Sequence, residues 1–271
     1  MTISANFHTH TTFCDGKATP EEMVQQAMAC GFTQIGFSGH MDANVFMDIG
    51  AYYAEIRRLQ ELYKDRIEIL RGIELDNMYD PACAYDAEYI IGSTHMLDLP
   101  TEKPMAVDSS METLRRLCEE YFAGDFYRLT AHYYDLEARV YDRLHCTFVG
   151  HFDLICKYND RYHYVDEADP RYYGPALKAM EYLVREGVPF ELSTTAKIRA
   201  GKADFYPNTF LLKTLHDLGG EILISSDAHR QEQLNAGFEE AVEAAREAGF
   251  DHVNYLTKQG TGQVHLLPVR I

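Results

Sequence analysis

The sequence predicts an α/β fold, a parallel barrel of roughly seven β-α units, and two observations carry that prediction. Short apolar stretches alternate with helical patterns along the 271 residues, as repeated β-α units require. The joints are brief, and no fixed-period repeat, low-complexity tract or Ser/Pro-rich linker interrupts them. So many units without a linker favour a barrel over an open sheet. The chain reads as one domain, 1–271, long enough to bury a core without disulfide or metal staples.

The elements follow in order. A first strand is expected at about 3–8. Thr19-Pro20-Glu21-Glu22 then supplies an N-cap, an N1 proline and a capping-box Glu. Strands follow at 35–40, 67–75 and 89–95, with helical periodicity over 52–64. About 108–145 holds two helical patterns and no clear strand, a helical excursion, and Ser109-Ser110-Met111-Glu112 repeats the capping-box signal. A strand at 147–153 leads into a polar, aromatic stretch at about 157–173, read as a lid loop. Strands at 189–193 and 221–227 alternate with helices expected to begin at Pro175 and Pro207, and 231–248 is helical. Gly31, Gly187, Gly219 and Gly249 each stand where a helix should stop.

Charge narrows the function. Forty-two acids against 25 Lys and Arg leave a formal charge of −17, which repels phosphate backbones and anionic lipid. Nucleic acid and membrane are therefore not expected partners, while a small phosphorylated substrate still fits a local positive site. No apolar run is long enough for a transmembrane helix, and MTISANFHTH lacks the features of a signal peptide. Six scattered cysteines without a C-x-x-C read as reduced thiols in a cytoplasmic protein. The oligomeric state is left open.

The chemistry lies in the histidines. His8, His10, His40, His95, His151 and His229 fall at the ends of expected strands, and Glu74 and Asp227 fall at similar points. The C-terminal strand ends of a β/α barrel converge on one face, so these residues should meet. A cluster of imidazoles and carboxylates needs cations, and its mixed nitrogen and oxygen donors suit zinc, manganese or iron. Glu74 can bridge two ions about 3.5–4 Å apart, as in metal pairs that stabilise attacking and leaving oxygens at phosphorus. His132, His145, His216, His252 and His265 are expected elsewhere, and His163 lies in the lid stretch.

The same residues carry a family resemblance. His8-Thr9-His10-Thr11-Thr12-Phe13-Cys14-Asp15-Gly16, Gly36-Phe37-Ser38-Gly39-His40 and Gly72-Ile73-Glu74 come first. Ile91-Gly92-Ser93-Thr94-His95, Val149-Gly150-His151-Phe152-Asp153-Leu154 and Ser226-Asp227-Ala228-His229 complete the set. In this order they resemble the PHP (polymerase and histidinol phosphatase) superfamily over nearly the whole chain, above all its histidinol-phosphatase branch. The resemblance implies a distorted (β/α)7 barrel and two to three divalent transition metals (Zn, Mn or Fe). His8, His10, Glu74 and Asp227 would bind the first; Glu74, His95 and His151 the second; Asp15, His40 and His229 the third. Asp15-Gly16 stands where many relatives have a histidine one position later. Ser193 and Thr195 replace an Asn and a Gly usual in relatives, while Arg199 is kept.

The implied activity is phosphomonoester hydrolysis, L-histidinol phosphate and water giving L-histidinol and phosphate, by attack of a metal-bound hydroxide. Glu74, Asp227 and His229 are the expected catalytic groups, with Asp227 or His229 as acid or base. Arg199 is the expected phosphate clamp; Arg161, Arg230 and Lys157 are further candidates. Asp160, Asp166, Glu167 and Asp169 could meet a cationic alcohol. The alternative is a PHP-family phosphoesterase for another small phosphate ester or nucleotide. An editing exonuclease is disfavoured by charge, and a non-catalytic metal-binding protein by the nearly complete ligand set.

Overall fold

The structure, a computed structural model, describes residues 3–45 and 47–271. In chain order the elements are β1 (Ala5–Asn6), α1 (Pro20–Ala29), β2 (Gln34–Met41), α2 (Ile49–Tyr63), β3 (Glu68–Asp76), β4 (Tyr89–Ser93), α3 (Met111–Phe122), α4 (Phe126–Glu137), α5 (Val140–Leu144) and β5 (Phe148–Val149). Then come α6 (Asn159–Tyr162), α7 (Pro170–Arg185), β6 (Phe190–Ser193), α8 (Thr195–Ile198), α9 (Thr209–Asp217), β7 (Ile222–Ser225), α10 (Phe238–Ala248), β8 (His252–Thr257) and β9 (His265–Arg270). Strands β1 to β7 pair in sequence order, all parallel. A parallel bridge between Thr9 and Ala228, just beyond β1 and β7, joins the two edges. The result is a seven-stranded barrel with helices outside, as expected.

Local signals explain much of this. Thr19 and Glu22 form the reciprocal capping box of α1, with Pro20 at its first position. Gly31, Gly187, Gly219 and Gly249 all have positive φ, the left-handed conformation that ends a helix cheaply only with glycine. Inside the barrel, Tyr89 fills slots left by two strand glycines. Its hydroxyl donates to the carbonyls of Phe7 (2.7 Å) and Phe37 (3.0 Å). A Cβ on Gly72 would lie 2.3 Å from the Tyr89 ring, and one on Gly36 2.4 Å from its hydroxyl. Gly72→Ala should therefore destabilise the protein by about 1–3 kcal/mol, read as a lower denaturant midpoint at unchanged m-value. An unchanged midpoint would show that the ring can move.

Several expected boundaries are corrected. Strands expected at 3–8, 89–95, 147–153 and 221–227 stop early because side chains take over the backbone donors. Asn6 Oδ1 accepts from the His8 amide (3.0 Å), Asp76 Oδ2 from those of His95 (2.8 Å) and Met96 (3.1 Å), and Glu191 Oε2 from that of His151 (2.7 Å). Asp227 turns with φ 48° and lies beyond the end of β7 at Ser225. The cap of α3 is Ser110, bonded to the Thr113 amide (3.0 Å), not a Ser109–Glu112 box. Pro170, not Pro175, opens α7, and Asn208 caps α9. The helical excursion is present as α3, α4 and α5.

The stretch 157–173 is not an open loop over the site. It contains α6 and the start of α7, and it is tied down. Lys202 Nζ reaches Asp160 Oδ1 (2.9 Å), and Glu167 accepts from Asn159 and Asn208 (2.8 Å each). Asp169 caps α7, and Asp166 accepts from the Ala168 amide. None of these four acids faces the cavity described below. The antiparallel β8–β9 hairpin was not anticipated. It lies at the strand starts: Tyr255 meets Ser4, Leu256 meets Gln34, and Thr257 meets Glu68. It thereby closes the end of the barrel opposite the histidines.

Candidate metal centre

At the C-terminal strand ends nine residues converge: His8, His10, Asp15, His40, Glu74, His95, His151, Asp227 and His229. Their donor atoms fall into four groups, each within 4.8 Å: His10, Asp15, His40 and His229; His8, His10 and Asp227; His8, Glu74 and His151; His40, Glu74 and His95. These are the nine residues singled out as ligands from the sequence. The grouping differs in detail: His10 also joins the Asp15 group, His40 also joins Glu74 and His95, and His95 and His151 fall in separate groups, while Glu74 is shared as expected.

Glu74 is the hub. Oε2 lies 3.3 Å from His8 Nε2, 3.4 Å from His10 Nε2 and 2.8 Å from His40 Nδ1. Oε1 lies 2.9 Å from His151 Nε2 and 3.5 Å from His95 Nε2. Asp227 Oδ1 is 3.0 Å from His10 Nε2 and 3.3 Å from His229 Nδ1, and Asp15 Oδ2 is 3.0 Å from His229 Nε2. The closing bridge explains the convergence. His10 donates its amide to the Ala228 carbonyl (2.8 Å) and Ala228 donates to that of His8 (3.0 Å), so both ends of the chain's barrel wall deliver ligands side by side.

The donor set fits divalent transition ions. His8 Nε2, His10 Nε2, His40 Nδ1, Glu74 Oε2, Asp227 Oδ1 and Asp15 Oδ1 are buried without a hydrogen-bond partner among the described residues. Buried polar atoms are normally paired, and lone pairs crowded on one volume are satisfied by cations. Burial opposes ionisation of Glu74, yet the imidazoles of His40, His8 and His95 hold its carboxyl well below the usual range. Burial likewise opposes Asp227, but Arg199, His229 and His8 hold it well below that range. Burial and the neighbouring His40 and His229 depress His10, keeping it a neutral donor.

A second layer fixes the ligands. Glu191 Oε1 accepts from His8 Nδ1 (2.8 Å) and Ser225 Oγ (2.6 Å), which points Nε2 of His8 at the cluster. Ser93 Oγ donates to Glu74 Oε1 (2.8 Å). No role for Glu191, Ser93 or Asp76 was read from the sequence. The available signal was a charged residue in the middle of an apolar strand, as Glu191 is in β6.

A cavity of about 300 Å³ opens beside the cluster, with Arg199, Lys157, Asp42, Asp108 and Tyr206 in its wall. Arg199 Nη1 contacts Asp227 Oδ2 (3.1 Å) and His229 Nδ1 (2.7 Å). Lys157 is at the wall, but Asp108 Oδ2 holds its ammonium at 3.0 Å. Arg161 and Arg230 are exposed and do not line the cavity. Arg161 lies over the Tyr162 ring, and Arg230 precedes the turn Gln231–Gln233. His163 is exposed at the end of α6, and the other five histidines also lie away from the cluster.

Behind His95, α4 buries Glu137 completely, with neither carboxylate oxygen paired among the described residues. Burial pushes its pKa from an ordinary 4.5 up to about 8. The folded value exceeds the unfolded one, so this stability is present below about pH 4.5 and lost as pH rises through 8. In metal-free protein Glu137→Gln should match wild type near pH 5 and exceed it by at most about 5 kcal/mol above pH 8. Melting curves across that range would show parallel lines if Glu137 were already ionised.

The fold has counterparts. A model of the PHP domain matches residues 6–195. A probable histidinol-phosphatase of Deinococcus radiodurans is 26% identical over 269 residues, spanning 92% of this chain and 95% of that one. One of Schizosaccharomyces pombe is 25% identical over 265 residues, 88% of this chain and 84% of its own. The structure of Lactococcus lactis histidinol phosphate phosphatase, complexed with zinc, L-histidinol and phosphate, superposes with a TM-score of 0.75 at 20% identity. The match covers 98% of this chain and all of that one. No helix among the described residues is long and apolar enough to cross a membrane.

Proposed function

This chain belongs to the PHP-domain family, and we propose that it is a metal-dependent phosphomonoesterase acting on L-histidinol phosphate, as one barrel domain over 1–271. The observation that carries this reading is the set of nine convergent donors, with orphaned lone pairs, beside a cavity walled by Arg199. The names of the relatives support the substrate. So does the wall itself, which offers Arg199 to a phosphate and the carboxylates of Asp42 and Asp108 to a cationic alcohol. The proposed metal ligands are His8, His10, Asp15, His40, Glu74, His95, His151, Asp227 and His229, holding two to three Zn, Mn or Fe ions.

Such ions, when bound, make water nucleophilic near neutral pH and offset charge on phosphoryl oxygens. The chain's own residues do the rest. Arg199 binds and orients the phosphate through its planar fork. Glu74 and Asp227 stay ionised, so each holds its place without carrying a proton. Asp227 lies 3.3 Å from His229, and one of these two is the expected acid or base toward the leaving oxygen. The chain's formal charge of −17 disfavours a polynucleotide substrate.

The test is phosphate release from L-histidinol phosphate, a nucleoside monophosphate and an aryl phosphate by one metal-replete preparation. Strong preference for the first supports the reading. Preference for another ester would make that class the substrate of the same site, and turnover of none would remove the phosphatase assignment.

A further inference from the structure

Among the described residues, the cavity wall carries one buried, unpartnered polar atom on a residue outside the donor set. Among the described residues, six wall residues each have a buried side-chain atom without a hydrogen-bond partner. Five belong to the donor set: Asp15 Oδ1, His40 Nδ1 and Asp227 Oδ1, and the Nδ1 atoms of His95 and His151, whose Nε2 atoms face Glu74. The sixth atom is the hydroxyl of Tyr206, whose side chain is 1% exposed. The geometry points to Tyr206 as a substrate-binding residue, its hydroxyl donating a hydrogen bond to a phosphoryl oxygen. This rests on the phosphatase reading above.

The placement is rigid. Tyr206 and Ser193 exchange backbone hydrogen bonds at the end of β6, Ser193 donating at 2.7 Å and Tyr206 at 3.3 Å. The ring packs with Leu154 and Ala196 and stands edge-on to His151, centroids 6.5 Å apart. It therefore sits at the cluster end of the barrel, beside a metal-donor imidazole. Burial, reinforced by Asp153 and Asp108, pushes the phenol well above its ordinary value. The group keeps its proton, so it is a hydrogen-bond donor rather than an anionic ligand.

The two cations of the wall are already partly engaged. Lys157 is bonded to the side chain and the carbonyl of Asp108. Arg199 is held at one nitrogen by Asp227 and His229. A phosphate has more acceptor oxygens than one guanidinium fork can meet. A fixed phenol hydroxyl with nothing to bond supplies a further donor, and a bound phosphoryl group supplies the acceptor the hydroxyl lacks.

The test compares zinc-loaded wild type with Tyr206→Phe, which removes only the hydroxyl. Inorganic phosphate is titrated calorimetrically into each, with metal content and melting temperature measured on the same samples. The expected result is a Kd for phosphate weakened about tenfold, at unchanged metal content and melting temperature. Equal Kd values would overturn the assignment. So would a variant that loses metal or melts earlier, which would make the hydroxyl structural, or a wild type that binds no phosphate. If wild type binds phosphate but hydrolyses no ester, the phosphatase reading fails, and the Kd comparison still decides the role of Tyr206.

Discussion

Glu74→Gln should eliminate turnover while leaving the barrel folded. The carboxylate is fully buried at the centre of the cluster, and five imidazoles lie within 3.5 Å of its oxygens. Gln keeps the size and can still accept from Ser93, so packing survives. The negative charge shared between the groups does not. Leaving buried positive charge uncompensated costs about 3–5 kcal/mol, or roughly a thousandfold in metal affinity at about 1.4 kcal/mol per decade. Bound metal per chain should fall, and phosphate release should fall with it at limiting metal. A variant with wild-type metal content and turnover would show that Glu74 is a structural acid.

Arg199→Ala should separate substrate binding from metal binding. Arg199 comes from the end of α8, outside the nine-donor set, and its side chain is about one-third exposed. Removing it leaves the cation donors in place but strips the phosphate of its charge-assisted partner. One such hydrogen bond contributes about 1.5–3 kcal/mol, so kcat/KM should fall about a hundredfold with metal content unchanged. Arg199→Lys should recover only part of the loss, because an ammonium lacks the planar fork. If both variants lose metal instead, the arginine acts through Asp227, which it contacts at 3.1 Å.

Most of this site is legible in the sequence because the β-α rhythm is local. The strands are short apolar runs, four helices stop at a glycine of positive φ, and a ligand stands at or near the end of every barrel strand but β6. Eight of the nine donors are thus legible at strand ends, and the ninth, Asp15, only through the family resemblance. The illegible parts are long-range. Strand ends at His95 and His151 are set by carboxylates 19 and 40 residues away, on Asp76 and Glu191, so apolar runs overstate the strands. The stretch 157–173 looks like a lid because it is polar, but Lys202 and Asn208 satisfy its acids from a distant segment. Arg161 and Arg230 sit close in sequence to ligands, yet backbone direction carries them outward. The hairpin at the far end and the hydroxyl of Tyr206 left no local signal.

The most direct test of the account is stepwise reconstitution. Chelated protein is titrated with zinc, and bound metal and phosphate release from L-histidinol phosphate are followed together. The account predicts no turnover at zero metal and activity that rises to a plateau at two to three ions per chain. Full turnover in metal-free protein, or metal bound at that stoichiometry without release of phosphate from any ester, would contradict it.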